Sequence, residues 1–322
     1  MYAMKPKVLI IGAKGQLGIV LTRYLQDRYG QDQVVATDIQ AAPIPNCIYD
    51  EVDASDYNAV LKIVEKYKVD QIYHLAAILS AKGEQNPINA WDINMQTWLN
   101  VLEVAKSTNI KRIFYPSSIA VFGGDYNKYY TGNDVFLSPA TVYGVSKAAG
   151  ENWANYYHQK YDLDIRSLRY PGVLSYQSIP SGGTTDYAVE IFHKAIIEKS
   201  YQCYLSPDTE LPMIFIDDAI KATVQLMEAP PEAIKNRSSY NLAGVSFSPK
   251  ELVQYIKNVV PDFEVSYQPD YRQNIALEWP RSIDDATARS DWGWQPEYGI
   301  EDIVEVMFDK LKKHYKESVT SN

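Results

Sequence analysis

Residues 8–18 constrain this chain more than any other stretch. Val8-Leu9-Ile10-Ile11 runs directly into Gly12-Ala13-Lys14-Gly15-Gln16-Leu17-Gly18, and amphipathic sequence continues to Tyr29. Four apolar, mostly β-branched residues predict a buried strand, and the spacing over Gly18–Tyr29 predicts a helix. The three glycines between them meet a specific demand. One permits the tight turn, another lets backbone approach a pyrophosphate, and the third allows the helix to pack closely on the strand. The helix N-terminus then offers free N–H groups and the positive end of its dipole to phosphate oxygens. A glycine triplet alone marks only a tight turn; its place between strand and helix makes it a dinucleotide fingerprint.

The same alternation continues. Val34–Thr37, Ile72–Leu75 and Ile113–Tyr115 read as short buried parallel strands, with helical spacing over Asn58–Tyr67 and Met95–Thr108 between them. Tyr143–Tyr161 predicts another helix and Ile165–Arg169 another strand. The pattern predicts an α/β fold, a doubly wound Rossmann-type parallel sheet. Beyond Tyr170, Pro171–Asp186 is rich in Gly, Ser, Thr and Pro and reads as a long loop. Asp217–Met227, Pro249–Val259 and Ile300–Lys313 read as helices, and the tail after Lys313 as frayed. A dinucleotide-binding domain over 1–170 and a smaller substrate-binding lobe over 171–322 follow, with some segments of the second half returning to the first domain.

Composition narrows the function class. The formal net charge is −9 and dense basic stretches are absent, which argues against nucleic acid or an anionic membrane as the main partner. Two cysteines, Cys47 and Cys203, stand far apart, and four histidines lack ligand spacing, so no metal site and no disulfide framework are expected. Neither an export signal nor an apolar run of ~18 residues is recognisable. A cytoplasmic enzyme acting on a small molecule is the expectation.

Asp38 closes the second strand. A carboxylate there accepts from the adenosine ribose hydroxyls and repels a 2′-phosphate, so NAD is expected rather than NADP. Asp53, in Val52-Asp53-Ala54, can accept from an adenine amino group or cap the next helix. His74-Leu75-Ala76-Ala77 ends a strand in small residues, which suits backbone passing beside a cofactor ribose or nicotinamide.

Tyr143 and Lys147 lie one helical turn apart and share a face. A phenol of ordinary pKa near ~10 is a poor base at neutral pH, and an ammonium beside it favours phenolate. With 26 tyrosines in the chain, Tyr-x-x-x-Lys alone says little. The strand Arg112-Ile113-Phe114-Tyr115 adds to it, because it runs into Pro116-Ser117-Ser118 at the carboxyl end of the sheet. There Ser118 can hold a substrate hydroxyl toward Tyr143. Asn94 reads as a support for the strand end, a holder of a relay water or an exposed helix residue.

In this order, the glycine turn, Asp38, Ser117-Ser118…Val121-Phe122-Gly123 and Tyr-x-x-x-Lys resemble the extended short-chain dehydrogenase/reductase family across about the first 175 residues. Further segments resemble the short-chain L-threonine 3-dehydrogenases. These are Ala77-Ile78-Leu79-Ser80-Ala81, Leu168-Arg169-Tyr170-Pro171-Gly172-Val173, Gly182-Gly183-Thr184-Thr185-Asp186, Pro212-Met213-Ile214-Phe215-Ile216-Asp217-Asp218 and Trp279-Pro280-Arg281-Ser282-Ile283-Asp284-Asp285. The resemblance implies Ser118, Tyr143 and Lys147 as catalytic residues. It implies NAD contacts over Gly12, Ala13, Lys14, Gly15, Gln16, Leu17 and Gly18, at Asp38, Ile39, Asp53 and Ala54, and at Leu75, Ala76, Ala77, Tyr143, Lys147 and Val173. Substrate contacts fall on Ser80, Ser118, Tyr143, Thr184, Thr185 and Trp279. The implied reaction is metal-independent oxidation of L-threonine at C3. Lys14 stands where a small residue or cysteine is usual, and Ser181 where glycine is common.

The resemblance also implies a homodimer formed by helices around Trp91–Lys106 and Tyr143–Tyr157. Trp91, Trp98, Trp153, Tyr156 and Tyr157 suit either that interface or core packing. The Gly182–Thr185 loop is expected to offer N–H groups and hydroxyls to a zwitterion and to serve as a lid. The rival enzyme is a nucleotide-sugar epimerase or dehydratase, which needs cationic donors for a diphosphate. Arg169, Arg237, Arg272 and Arg281 are the candidates for that role. A non-catalytic NAD-sensing protein is the alternative outside enzymes, and the intact Ser118, Tyr143 and Lys147 argue against it.

Overall fold

The computed structural model describes residues 5–177 and 183–320. Its strands are Val8–Ile11 (β1), Val34–Asp38 (β2), Ile48–Glu51 (β3), Gln71–His74 (β4), Arg112–Ser118 (β5), Ile165–Tyr170 (β6), Gly172–Leu174 (β7), Ser200–Cys203 (β8), Leu211–Phe215 (β9), Tyr240–Asn241 (β10), Val245–Phe247 (β11) and Glu264–Tyr267 (β12). The helices are Gln16–Tyr29 (α1), Tyr57–Tyr67 (α2), Ser80–Gly83 (α3), Pro87–Ser107 (α4), Val142–Tyr161 (α5), Tyr187–Ile197 (α6), Ile216–Glu228 (α7), Pro249–Val259 (α8), Tyr271–Glu278 (α9), Ala286–Trp292 (α10) and Ile300–Thr320 (α11).

Seven strands form one sheet in the order β10-β6-β5-β4-β1-β2-β3, with every pairing parallel. This is the doubly wound Rossmann-type arrangement, with its reversal of strand order between β1 and β4. Continuous apolar strands follow from burial of both faces. Val8 and Ile10 face one core with Val34, Tyr73 and Phe114; Leu9 and Ile11 face the other with Val35, Ile72 and Trp98. The first core runs without a break into the second half of the chain, through Ile214, Leu226 and Trp294. The smaller sheets β11-β9-β7 and β12-β8 lie in that half, while β10 returns to extend the central sheet beside β6.

Several boundaries differ from the sequence reading. The helix expected from Met95 starts at Pro87, because Asn86 caps it by accepting from Asn89 N and proline suits the first turn. Its early turns escaped periodicity because Ile88 and Ile93 are exposed. The edge strand β3, Ile-Tyr-Asp-Glu, is only half buried and lacks an apolar run. The stretch read as a long loop from Pro171 contains β7, which pairs with β9. The tail after Lys313 is not frayed: α11 continues to Thr320. Ser181 and Gly182 lie outside the described residues. Among the described residues no helix is long and apolar enough to cross a membrane.

A buried ion pair ties α5 to the sheet. Glu151 on α5 accepts from Arg169 of β6 through two bonds of 2.9 and 2.8 Å, and Arg169 also donates to Asn133 O and to Asn241 of β10. Removing one partner leaves a buried charge without compensation. Glu151→Ala is therefore expected to lose ~3–5 kcal/mol of unfolding free energy in urea titrations. A loss below about 1 kcal/mol means that the pair does not hold the helix in place.

Candidate active site

The strand order reverses between β1 and β4, and open α/β sheets hold their ligands at the carboxyl ends beside such a reversal. The glycine turn lies there. Gly12 has φ +86°, and a Cβ on it would stand 2.7 Å from Ala76 N; a Cβ on Gly18 would stand 2.3 Å from Gly12 O. Both sites exclude any side chain, which keeps the turn tight. Gly12 N and Ala13 N donate to Thr37 O, and Asp38 accepts from Lys14 N at 3.0 Å, so the carboxylate is held against the turn. Gln16 Nε2 donates to Val173 O at 3.1 Å and links the turn to β7. Lys14 places its ammonium over the Tyr49 ring at 5.4 Å.

Farther along the sheet edge, Asp53 accepts from Ser55 N and Oγ, while Asp56 rather than Asp53 caps α2. Ala54 is buried and Ile39 is exposed. These positions form a line from β1 to β3, apart from the reaction cleft. The turn and Asp38 lie together at the carboxyl end of the sheet.

One cleft gathers the remaining candidates except Ala76, which stands against Gly12. Gln16, Leu17, Leu75, Ala77, Ser80, Ser118, Tyr143, Lys147, Val173, Thr184, Thr185 and Trp279 all line it, and its free volume is about 150 Å³. Ser80 of α3 and Thr184 close one side with hydroxyls 3.4 Å apart, joining the first half of the chain to the second. Trp279, at the end of α9, is 5% exposed. Thr141 caps α5 by accepting from Gly144 N, and Tyr143 and Lys147 follow on the first turns of that helix.

The two adjacent serines have separate surroundings. Ser117 is buried and donates to Glu151 at 2.5 Å, whereas Ser118 accepts from Ala120 N; both border the cleft. Burial dominates the electrostatics of the pair on α5. It pushes the Tyr143 phenol up to about 12, with the Ser118 hydroxyl acting in the opposite direction. It pushes the Lys147 amine down to about 7, opposed by Glu151. The expectation that the ammonium would lower the phenol is thus outweighed by desolvation among the chain's own groups.

Sequence reasoning missed some of this machinery. Glu151 stands one turn beyond Lys147, a spacing that a search for Tyr-x-x-x-Lys-x-x-x-Glu would have caught. Asn94 takes the first of the roles read for it, that of a support for the strand end, and is buried. Its side chain accepts from Ile78 N at 2.7 Å and donates to Ile78 O and to Ser146, so it supports the segment after β4. His74 is fully buried beside Trp98, and burial pushes its imidazole down to about 3. Among the described residues no group of acidic, histidine or cysteine side chains has metal-binding geometry.

The model of the NAD dependent epimerase/dehydratase family matches residues 8–243. The chain belongs to that family. It is an enzyme and an oxidoreductase, and NAD is its cofactor. An uncharacterized epimerase/dehydratase of Staphylococcus saprophyticus is 41% identical over 318 residues, 97% of this chain and 99% of the relative. The holo form of a GalE-like L-threonine dehydrogenase from Cupriavidus necator is 46% identical, with a TM-score of 0.93 over 95% of this chain and 100% of its own. A monomeric L-threonine 3-dehydrogenase from a metagenome is 45% identical, with a TM-score of 0.93 over 95% of this chain and 99% of its own.

Gly12→Ala should weaken NADH binding at least about tenfold, because the methyl group forces the turn away from Ala76. Gly132→Ala, where a Cβ meets nothing within 4 Å, should leave it unchanged. Titration of NADH fluorescence measures both, and equal affinities for the two variants would remove the glycine turn from the cofactor site.

Proposed function

We propose that this family member oxidises L-threonine at C3 to 2-amino-3-oxobutanoate. The observation that carries the reading is the make-up of the cleft. Around the hydroxyls of Tyr143 and Ser118 stand small alcohols, Ser80, Thr184 and Thr185, with the indole of Trp279, in a free volume of about 150 Å³. Those hydroxyls supply both donors and acceptors for the charged groups of a small zwitterion. The likeness to two L-threonine dehydrogenases over nearly the full length supports the same substrate.

In this reading Ser118 orients the substrate hydroxyl and Tyr143, as phenolate, takes its proton. Lys147 as ammonium favours that phenolate. NAD, when bound, would supply the two-electron acceptor for the C3 hydrogen, which would leave with its electron pair as the C=O bond forms. The Gly12–Gly18 turn would hold the pyrophosphate, Asp38 the adenosine ribose, and Asp53 with Ala54 the adenine, while Leu75 to Ala77 and Val173 would border the nicotinamide. Trp279 shields the reacting atoms from water.

The arginines that a nucleotide sugar would need are engaged elsewhere. Arg169 pairs with Glu151, Arg237 with Asp164 and Arg272 with Asp270, while Arg281 donates to Glu210 O. A cytoplasmic homodimer is part of the proposal, through the solvent face of α5, where Trp153 and Tyr156 are 37% and 43% exposed. Trp98 and Tyr157, by contrast, belong to the core. Sedimentation at working concentration checks the dimer, and a single monomer boundary would remove it.

L-threonine with NAD should generate NADH, read by absorbance, and UDP-glucose should not be epimerised. The opposite pattern would overturn the substrate reading. Tyr143→Phe should lower turnover about 100-fold or more while NADH still binds. Because burial raises the phenol pKa, the basic form grows as pH rises, so oxidation should accelerate with pH. A profile that is flat from the weakly acidic through the neutral range would exclude Tyr143 as the base.

A further inference from the structure

The Lys147 ammonium is buried, 4% exposed, and the carboxylate nearest along its helix is already engaged. Glu151 accepts from Arg169, Ser117 and Ser238. What lies against the ammonium is an aromatic face. Lys147 Nζ stands 4.8 Å from the ring centroid of Tyr115 on β5, nearer than to the Tyr143 ring at 5.5 Å.

Tyr115 is fixed in that position. Trp98 of α4 stacks on it with centroids 4.4 Å apart and planes at 28°, and donates through Nε1 to Gly150 O. A Cβ on Gly150 would stand 2.0 Å from the Tyr115 hydroxyl oxygen and 2.3 Å from Cζ. The missing side chain at Gly150, three residues after Lys147, therefore makes the slot that admits the ring beneath α5.

We propose that Tyr115 is a positioning residue for the proton chemistry of this site, holding the Lys147 ammonium on its ring face by a cation–π contact in place of a counter-ion. The inference deepens the proposed function and rests on its reading of Lys147 as the ammonium beside Tyr143. A ring stabilises a desolvated cation through its quadrupole and brings no net charge. A carboxylate in the same place would hold the ammonium more strongly. It would also cancel the ammonium's field at Tyr143 and disfavour the phenolate. The other groups facing Lys147 do not replace the ring. Tyr143 and Glu151 lie on its own helix, the latter paired with Arg169 of β6. His74 of β4 is kept neutral by burial. Burial draws the amine down toward neutrality against the charge of Glu151, and in this proposal the ring face adds to that opposition.

The test is a titration of the Lys147 amine in the full chain without added nucleotide. It uses lysine labelled with ¹³C at Cε, with the signal assigned by its loss in Lys147→Met. Position 115 is compared as Tyr115, Tyr115→Phe, Tyr115→Leu and a trifluorophenylalanine replacement that keeps the ring's shape and weakens its quadrupole. Tyr115→Phe should leave the Lys147 titration close to that of the unaltered chain. The fluorinated ring and Tyr115→Leu should each lower it by about half to one and a half pH units. The pH profile of NADH formation should move in the same direction.

If Tyr115→Leu does not fold, the isosteric phenylalanine pair decides alone, with circular dichroism showing both folded. A Lys147 titration indifferent to fluorination overturns the proposal. Because that readout involves no substrate, a failure of L-threonine as substrate is separate from a failure of the ring contact.

Discussion

The pair of Glu151 with Arg169, with almost no water around either side chain, fixes how α5 lies on the sheet. Neither charge could remain in that environment alone, so the helix cannot turn or slide without exposing or orphaning one of them. The same carboxylate takes the Ser117 hydroxyl from β5 and the Ser238 hydroxyl from the second half of the chain. One buried anion therefore ties together α5, β5, β6 and the segment leading into β10. Lys147 and Tyr143 lie one and two turns back along that helix, so their placement over the cleft depends on this anchor.

The anchor also shapes the electrostatics. A helix seated this deeply carries its polar residues into surroundings of low polarity, which raises the phenol of Tyr143 and lowers the amine of Lys147. Both shifts oppose the charged forms that proton abstraction needs. The surroundings offset them selectively: Ser118 favours the phenolate, and the Tyr115 face lies against the ammonium. Glu151 acts on Lys147 from a distance, with its charge largely balanced by Arg169. A site so arranged keeps the Tyr143 phenol protonated at neutral pH among the chain's own groups.

Much of this was legible in the sequence because backbone demands leave residue signatures. The glycine turn, the β-branched strands and the Tyr-x-x-x-Lys pair each require particular residue types at fixed spacing. Elements whose stability comes from neighbours left weaker traces. The edge strand β3 is half buried and polar, and β7 is three residues long and held by β9. The first turns of α4 are exposed, so periodicity began only where the helix meets the core. Ser117 and Ser118 both border the cleft, and the bond to Glu151 distinguishes Ser117 from its neighbour. Tyr115 gave no signal of its own: a tyrosine in a buried strand reads as core until Gly150 and Trp98 are seen to hold its ring under a lysine.

Fold and cofactor turn are shared across the family, so they cannot separate a threonine dehydrogenase from a nucleotide-sugar enzyme. Selectivity has to come from the wall supplied by the second half of the chain. That wall meets the first half where Thr184 and Ser80 bring their hydroxyls together, with Trp279 also lining the cleft. Hydroxyls suit an amino acid, whose ammonium and carboxylate need acceptors and donors at short range in a confined volume. A diphosphate needs fixed cations, and each of the four arginines considered for it is already bound to a carboxylate or a carbonyl. Releasing Arg169 would leave Glu151 in the interior without its counter-charge.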